Sequence, residues 1–291
     1  MKYSNFAIVV SFFGLWLDSF ISNSAQVIVG FAFILTFGIL HGSNDLLLIK
    51  NIDSDKEQFS LPKLLLYYLM VVGFGALLFW IIPWFALLLF IGVSGYHFGE
   101  QQWQNLEKSN LFKFFEFTYG LFILMLLFIF HVKEVQEVIT NITSLSISES
   151  YFSVGLTITS LILIILGFYF YRKLIEFRSK WILETFYLVV FTIIFKVSSL
   201  IWGFAIYFIL WHSIPSIINQ VIYLNGELNW NNFGIYIKNA FPYWLISLIG
   251  IIILYMLFKD VKIFNALFFS FLAAITFPHV LVIYKLFNNK S

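Results

Sequence analysis

The sequence predicts an all-α fold, a polytopic transmembrane helix bundle of about 8–10 spans. Two observations predict it. Hydrophobic residues make up 61% of the 291 residues, charged residues only 11%, and the mean hydropathy is +0.92; a soluble chain carries roughly twice that charge. The charged and turn-rich breaks also leave apolar stretches of about the 20 residues that a crossing needs. No repeat, low-complexity tract or soluble domain stands out, so 1–291 reads as a single integral membrane domain.

In order along the chain the segments are 5–22, 25–49, 62–82, 84–104, 112–131, 151–171, 181–197, 199–223, 240–258 and 263–284. Met1 and Lys2 open the first like a signal peptide, but its length and the Asp18 inside it mark a retained span. The third and fourth meet at Ile82-Pro83-Trp84, an uncharged tight turn, and the seventh and eighth at Ser198 near Lys196. Residues 132–150 form a short polar loop. With both termini cytoplasmic, Lys133, Lys196, Lys259 and Lys262 fall outside and the rest of the 17 Lys and Arg fall inside. That excess orients the chain as a multi-pass protein of the cell membrane.

A formal charge of +2 gives no reason to expect nucleic acid as a partner. With no cysteine, disulfides, Fe–S clusters, Cys-ligated zinc and thiol catalysis are excluded. Any metal rests on His, Asp, Glu or backbone oxygen.

Ionisable residues inside a bilayer are costly, which makes each a functional candidate. His41, His97, His212 and His279 fall in the second, fourth, eighth and tenth segments, which run in one direction. Each lies about 13–16 residues from the outer start of its span; at about 1.5 Å per residue they share one level to within roughly 5 Å. Four imidazoles at one depth suit a shared metal. The plainer alternative is that each simply hydrogen-bonds a neighbouring carbonyl or hydroxyl. His131 ends an odd-numbered span beside Lys133 and Glu134 and does not belong with the others.

Neutral imidazoles without thiolates suit a borderline metal. Four histidines would close a tetrahedral zinc site to chemistry, whereas iron(II) accepts further ligands, which favours non-haem iron in a catalytic site. Paired histidines also serve haem, which leaves a membrane haem protein passing electrons as one alternative. A non-catalytic transporter or carrier, built from helices broken by Pro and Gly, is another.

Gly42 after His41 permits close approach of backbone or ligand. Asp45, one turn on, either orients an imidazole or sits at the interface near Lys50. His97 lies in Ser94-Gly95-Tyr96-His97-Phe98-Gly99-Glu100-Gln101-Gln102-Trp103, where Glu100 is either a supporting carboxylate or a solvated one. Glu184 either pairs with an imidazole or sits near the inner interface beside Lys180. Pro215 beyond His212 and Pro278 before His279 each free a carbonyl in a ligand-bearing helix. Aromatic residues, 21% of the chain, suit lipid contact and equally an aromatic-lined tunnel for a polyene.

Taken together, His41-Gly42-Ser43-Asn44-Asp45, His97-Phe98-Gly99 with Trp103, Trp211-His212-Ser213 and Pro278-His279 occur in a familiar order. Across nearly its whole length the chain resembles the Brp/Blh family of membrane β-carotene 15,15′-dioxygenases. The resemblance implies oxidative cleavage of the central double bond of a carotenoid by O2 at a non-haem Fe(2+), giving retinal, with no organic cofactor. His41, His97, His212 and His279 would be the iron ligands, with Asp45 and Glu100 supporting them, and no catalytic residue beyond the metal site. A rhodopsin apoprotein would be the consumer of the retinal. The chain departs from the family pattern at Ser216, where a second histidine usually follows the Trp-His motif, and at Gln102, where an acid is expected.

Overall fold

The computed structural model describes residues 3–52, 60–104, 106, 109–257 and 261–288. Among them every regular element is helical, the outcome expected where hydrocarbon offers no partner to an open backbone. The helices are α1 (Tyr3–Asp18), α2 (Asn23–Phe33), α3 (Asp45–Ile52), α4 (Leu61–Ile81), α5 (Pro83–Trp103), α6 (Asn110–Phe130), α7 (Val132–Thr143), α8 (Glu149–Lys173), α9 (Ile175–Val197), α10 (Leu200–Tyr207), α11 (Ile214–Asn225), α12 (Trp230–Leu257) and α13 (Val261–Asn288). Two π-helical stretches extend α2 (Ile34–Gly38) and join α10 to α11 (Phe208–Ser213).

Among the described residues five helices are long and apolar enough to cross a membrane: Pro62–Ile81 of α4, α6, α8, the run Leu200–Asn225 and α12. Tyr3–Asp18, Asn23–Gly38 and Ser270–Leu286 are shorter apolar helices. The polytopic all-α bundle expected from composition is therefore the fold. The uncharged turn at Ile82 and the break at Ser198 are both present.

Three local expectations need correction. The second segment is not one continuous helix: it widens into the π turn, breaks at 41–44 and restarts at Asp45. Residues 132–143 are helical rather than loop, an amphipathic stretch whose Val135 is buried. Finally, α9 begins at Ile175, six residues ahead of the expected start, because Arg178 folds back on the end of α8. Its Nε and guanidinium NH2 donate to the carbonyls of Tyr171 and Arg172 at 2.8 and 3.4 Å, which satisfies orphaned groups at that terminus. Of the basic residues that orient the chain, Lys2, Lys56, Lys108, Lys259 and Lys290 lie outside the described residues.

The chain divides into two compact units, each discontinuous in sequence. The first comprises Met1–Phe33, Ile91–Glu137 and Ser146–His212. Here α6 packs on α8 and α9, and α10 packs on α2, α9 and α6, with α1 on α9 and α10. Its core is aromatic: Trp103 stacks on Phe177 at 4.8 Å, and Phe112, Phe115, Phe170 and Tyr119 close around them. The second unit comprises Ile34–Phe90, Val138–Leu145 and Ser213–Ser291. In it α13 packs on α4 and α3, and α12 packs on α11 and α13. Ile217, Val221, Tyr236 and Ala240 form one buried cluster there, and Leu48, Val282, Ile283 and Leu286 another.

Candidate metal centre

In the second unit His41 and His279 meet. The π turn after Phe33 delivers the chain to a tight turn in which Gly42 and Ser43 donate to the carbonyls of Ile39 and Leu40, both at 3.2 Å. The Ser43 hydroxyl adds a bond to the Ile39 carbonyl at 2.8 Å. The His41 carbonyl accepts from Gln220 Nε2 at 2.7 Å, and Gln220 in turn accepts from the Tyr236 hydroxyl at 2.9 Å. Asn44 Nδ2 donates to the Tyr236 carbonyl at 3.1 Å, so the turn is tied to α11 and α12. Unpaired polar groups this deep would each cost on the order of 1–3 kcal/mol, a cost that each of these bonds avoids. The His279 and His41 rings meet at right angles, with centroids 4.6 Å apart and planes at 89°. The His279 Nδ1 lies 2.9 and 3.1 Å from the two Asp45 oxygens, and the Tyr68 hydroxyl donates to Asp45 Oδ2 at 3.1 Å. A Cβ on Gly42 would sit 3.5 Å from His279 Nδ1, an ordinary contact. Close approach is therefore not what this glycine provides.

In the first unit His97 and His212 meet, with centroids 4.7 Å apart and planes at 80°. Glycines place His97. A Cβ on Gly99 would lie 1.8 Å from the Glu116 carbonyl oxygen, and one on Gly120 would lie 1.9 Å from that of Gly95. The small-residue spacing Gly95–Gly99 thus brings α5 against α6 backbone to backbone, and His97 rides between these contact points. His212 sits in the π stretch Phe208–Ser213, which runs into Pro215 near the start of α11. A π turn followed by proline leaves carbonyls without their usual donors. Gln101 Nε2 donates to the His212 carbonyl at 2.7 Å, and the Tyr3 hydroxyl donates to that of Leu210 at 2.5 Å. Trp211 Nε1 donates to the Ser11 hydroxyl at 3.0 Å. Phe208 stacks on the His212 ring at 5.3 Å and Phe98 meets it edge-on at 4.8 Å, which shields it from water.

All four histidines are buried, between 2% and 6% exposed. Asp45 lies on His279. Glu100 and Glu184 are each only 4% exposed, so Glu100 is not the solvated carboxylate that the sequence allowed. Their partners are not imidazoles: Glu100 accepts from the Tyr96 hydroxyl at 3.1 Å, and Glu184 accepts from Gln102 and Tyr119, both at 2.7 Å. Gln102 is thus a donor at the position where the resemblance led to the expectation of an acid. Ser216 is buried and its hydroxyl accepts from Gln220 at 3.0 Å. His131 stands apart as the cap that ends α6.

Sequence reasoning passed over Tyr68, Gln101, Gln220 and Tyr236, and over Glu116, a further buried carboxylate in a spanning helix. The signal for Gln101 and Gln220 was present: an uncharged amide inside a spanning segment needs a hydrogen-bond partner. Tyr68 and Tyr236 carried none, because tyrosine is equally at home facing lipid headgroups.

The chemistry available is that of neutral nitrogen donors in a dry setting, with no thiolate present and a carboxylate behind one ring. Comparisons with curated proteins and with solved structures found no match. A family model described as Beta-carotene 15,15'-dioxygenase matches residues 32–287, which takes in all four histidines. The chain therefore belongs to the beta-carotene 15,15'-dioxygenase family.

Proposed function

We propose that the protein cleaves β-carotene, or a related carotenoid, at its central double bond with O2, giving retinal, at a non-haem iron(II) held by His41, His97, His212 and His279. One observation carries the reading. Each unit independently brings two of these residues, distant in sequence, ring to ring in a buried setting, at 4.6 and 4.7 Å. Three of them, His41, His97 and His279, each offer a ring nitrogen from a buried position.

The donor set fits the metal. Imidazoles without thiolates suit iron, and a carboxylate on the far side of a ligating ring is the usual support. Bound iron would supply activation of dioxygen. The chain's own residues do the rest. Phe98 and Phe208 exclude water from His212, Asp45 orients His279, and Glu100 holds the Tyr96 hydroxyl one turn away on the helix that carries His97. A carotenoid dissolves in the bilayer and reaches such a site sideways from lipid. The reading places the protein in the cell membrane with both termini cytoplasmic, and its retinal passes to a rhodopsin apoprotein in the same membrane. A haem reading is disfavoured because rings in edge-to-face contact leave no room for a porphyrin plane between them.

The test is direct. Purified protein should hold close to one iron per chain without a Soret band, and cells making β-carotene should pale as retinal accumulates. Unchanged carotenoid beside a folded, iron-loaded protein would reject the substrate; a folded protein that takes up no iron would reject the site.

A further inference from the structure

We infer that Asp45, itself held by Tyr68, is the positioning residue for His279: it fixes the imidazole as the tautomer protonated on Nδ1, so that Nε2 is the atom presented as a metal donor. This rests on the reading of His279 as an iron ligand. The geometry needs little else. A carboxylate has no proton to give, so a ring nitrogen 2.9 Å from Oδ1 and 3.1 Å from Oδ2 carries the hydrogen itself. Which nitrogen of a histidine remains for a metal is set by the bond that the other one makes.

Asp45 is well placed for this role. It is 1% exposed and opens α3, where the free backbone N–H groups favour an acidic side chain. Helix α3 packs on both α4, which carries Tyr68, and α13, which carries His279. Tyr68 donates to Oδ2 at 3.1 Å, which prevents the carboxylate from rotating off the ring. All three residues belong to one unit of the fold. Tyr68 lies in no histidine motif, and its assignment comes only from this contact.

The experiment uses full-length protein in lipid nanodiscs with 15N-labelled histidine, free of metal, with His279→Gln to assign the His279 signals. The wild type should show His279 protonated on Nδ1 alone. Asp45→Ala should give a mixture of tautomers and lower iron(II) affinity, titrated anaerobically, by about 10–100-fold. Asp45→Asn and Tyr68→Phe preserve volume and keep the test open should the alanine variant fail to fold; they should weaken iron binding on the order of tenfold. A bare Nδ1 in the wild type, or a His279 signal indifferent to Asp45, overturns the inference. Unchanged iron affinity in every folded variant also overturns it. A wild type that binds no iron but keeps the Nδ1 proton overturns the iron reading and leaves the positioning of His279 by Asp45 supported.

Discussion

Gln101 donates through Nε2 to the backbone carbonyl of His212 at 2.7 Å, a link between residues 111 positions apart. It explains why three polar side chains in a row end an otherwise apolar helix. Glu100 turns to Tyr96, Gln101 to His212 and Gln102 to Glu184, each toward a different neighbour. Gln101→Leu keeps the bulk and removes the donor, leaving a carbonyl buried without it. We expect a loss of about 1–3 kcal/mol in stability, read as a lower melting temperature in detergent. An unchanged melt would mean that the carbonyl finds another donor.

The backbone contact between α5 and α6 leaves no space for a methyl group. Gly99→Ala forces the two helices apart or abolishes folding, at the upper end of the roughly 1–3 kcal/mol typical of overpacking or beyond it. Gly73→Ala is the control, since a Cβ there meets nothing within 4 Å. Comparing yields of monodisperse protein for the two variants separates the predicted outcome from a general intolerance of alanine.

Metal analysis of single histidine variants tests the donor set. His41→Ala, His97→Ala, His212→Ala and His279→Ala should each lose most of their iron and their ability to decolorise β-carotene-producing cells. His131→Gln should keep both, because His131 caps α6 through its backbone N–H, which the substitution keeps, and its ring takes no part in either pair. Loss of iron from the His131 variant alone would move the site elsewhere.

Ser216 stands where the resemblance led to the expectation of a second histidine, yet here its hydroxyl accepts from Gln220. Ser216→Ala should therefore cost no more than about 1 kcal/mol and leave the iron content unchanged, since Gln220 still holds the His41 carbonyl. Metal loss in this variant would make the hydroxyl part of the site.

Much of this was readable in the residues alone, for a physical reason. A bilayer forces helices, so hydropathy located α4, α6, α8 and α12 to within a few residues except at the amino end of α12, where Trp230–Asn239 was too polar to register. The four histidines stood out because imidazole is rare in such a setting. What the sequence hid is irregular backbone. Nothing in Ile34–Gly38 or Phe208–Ser213 marks a π turn, since the same residues suit an ordinary helix; the choice comes from donors far along the chain, Tyr3 and Gln101 among them. Likewise Asp45 was visible as a carboxylate one turn from His41, but its placement on His279 depends on α13 lying against α3, which only tertiary packing decides.

The hydroxyl of Tyr3 reaches the Leu210 carbonyl two residues before His212. Helix α1 therefore helps to shape a turn 207 residues further along the sequence. Trimming or crowding α1 would free that carbonyl, let the wide turn relax, and cost function in a preparation that still looked well folded.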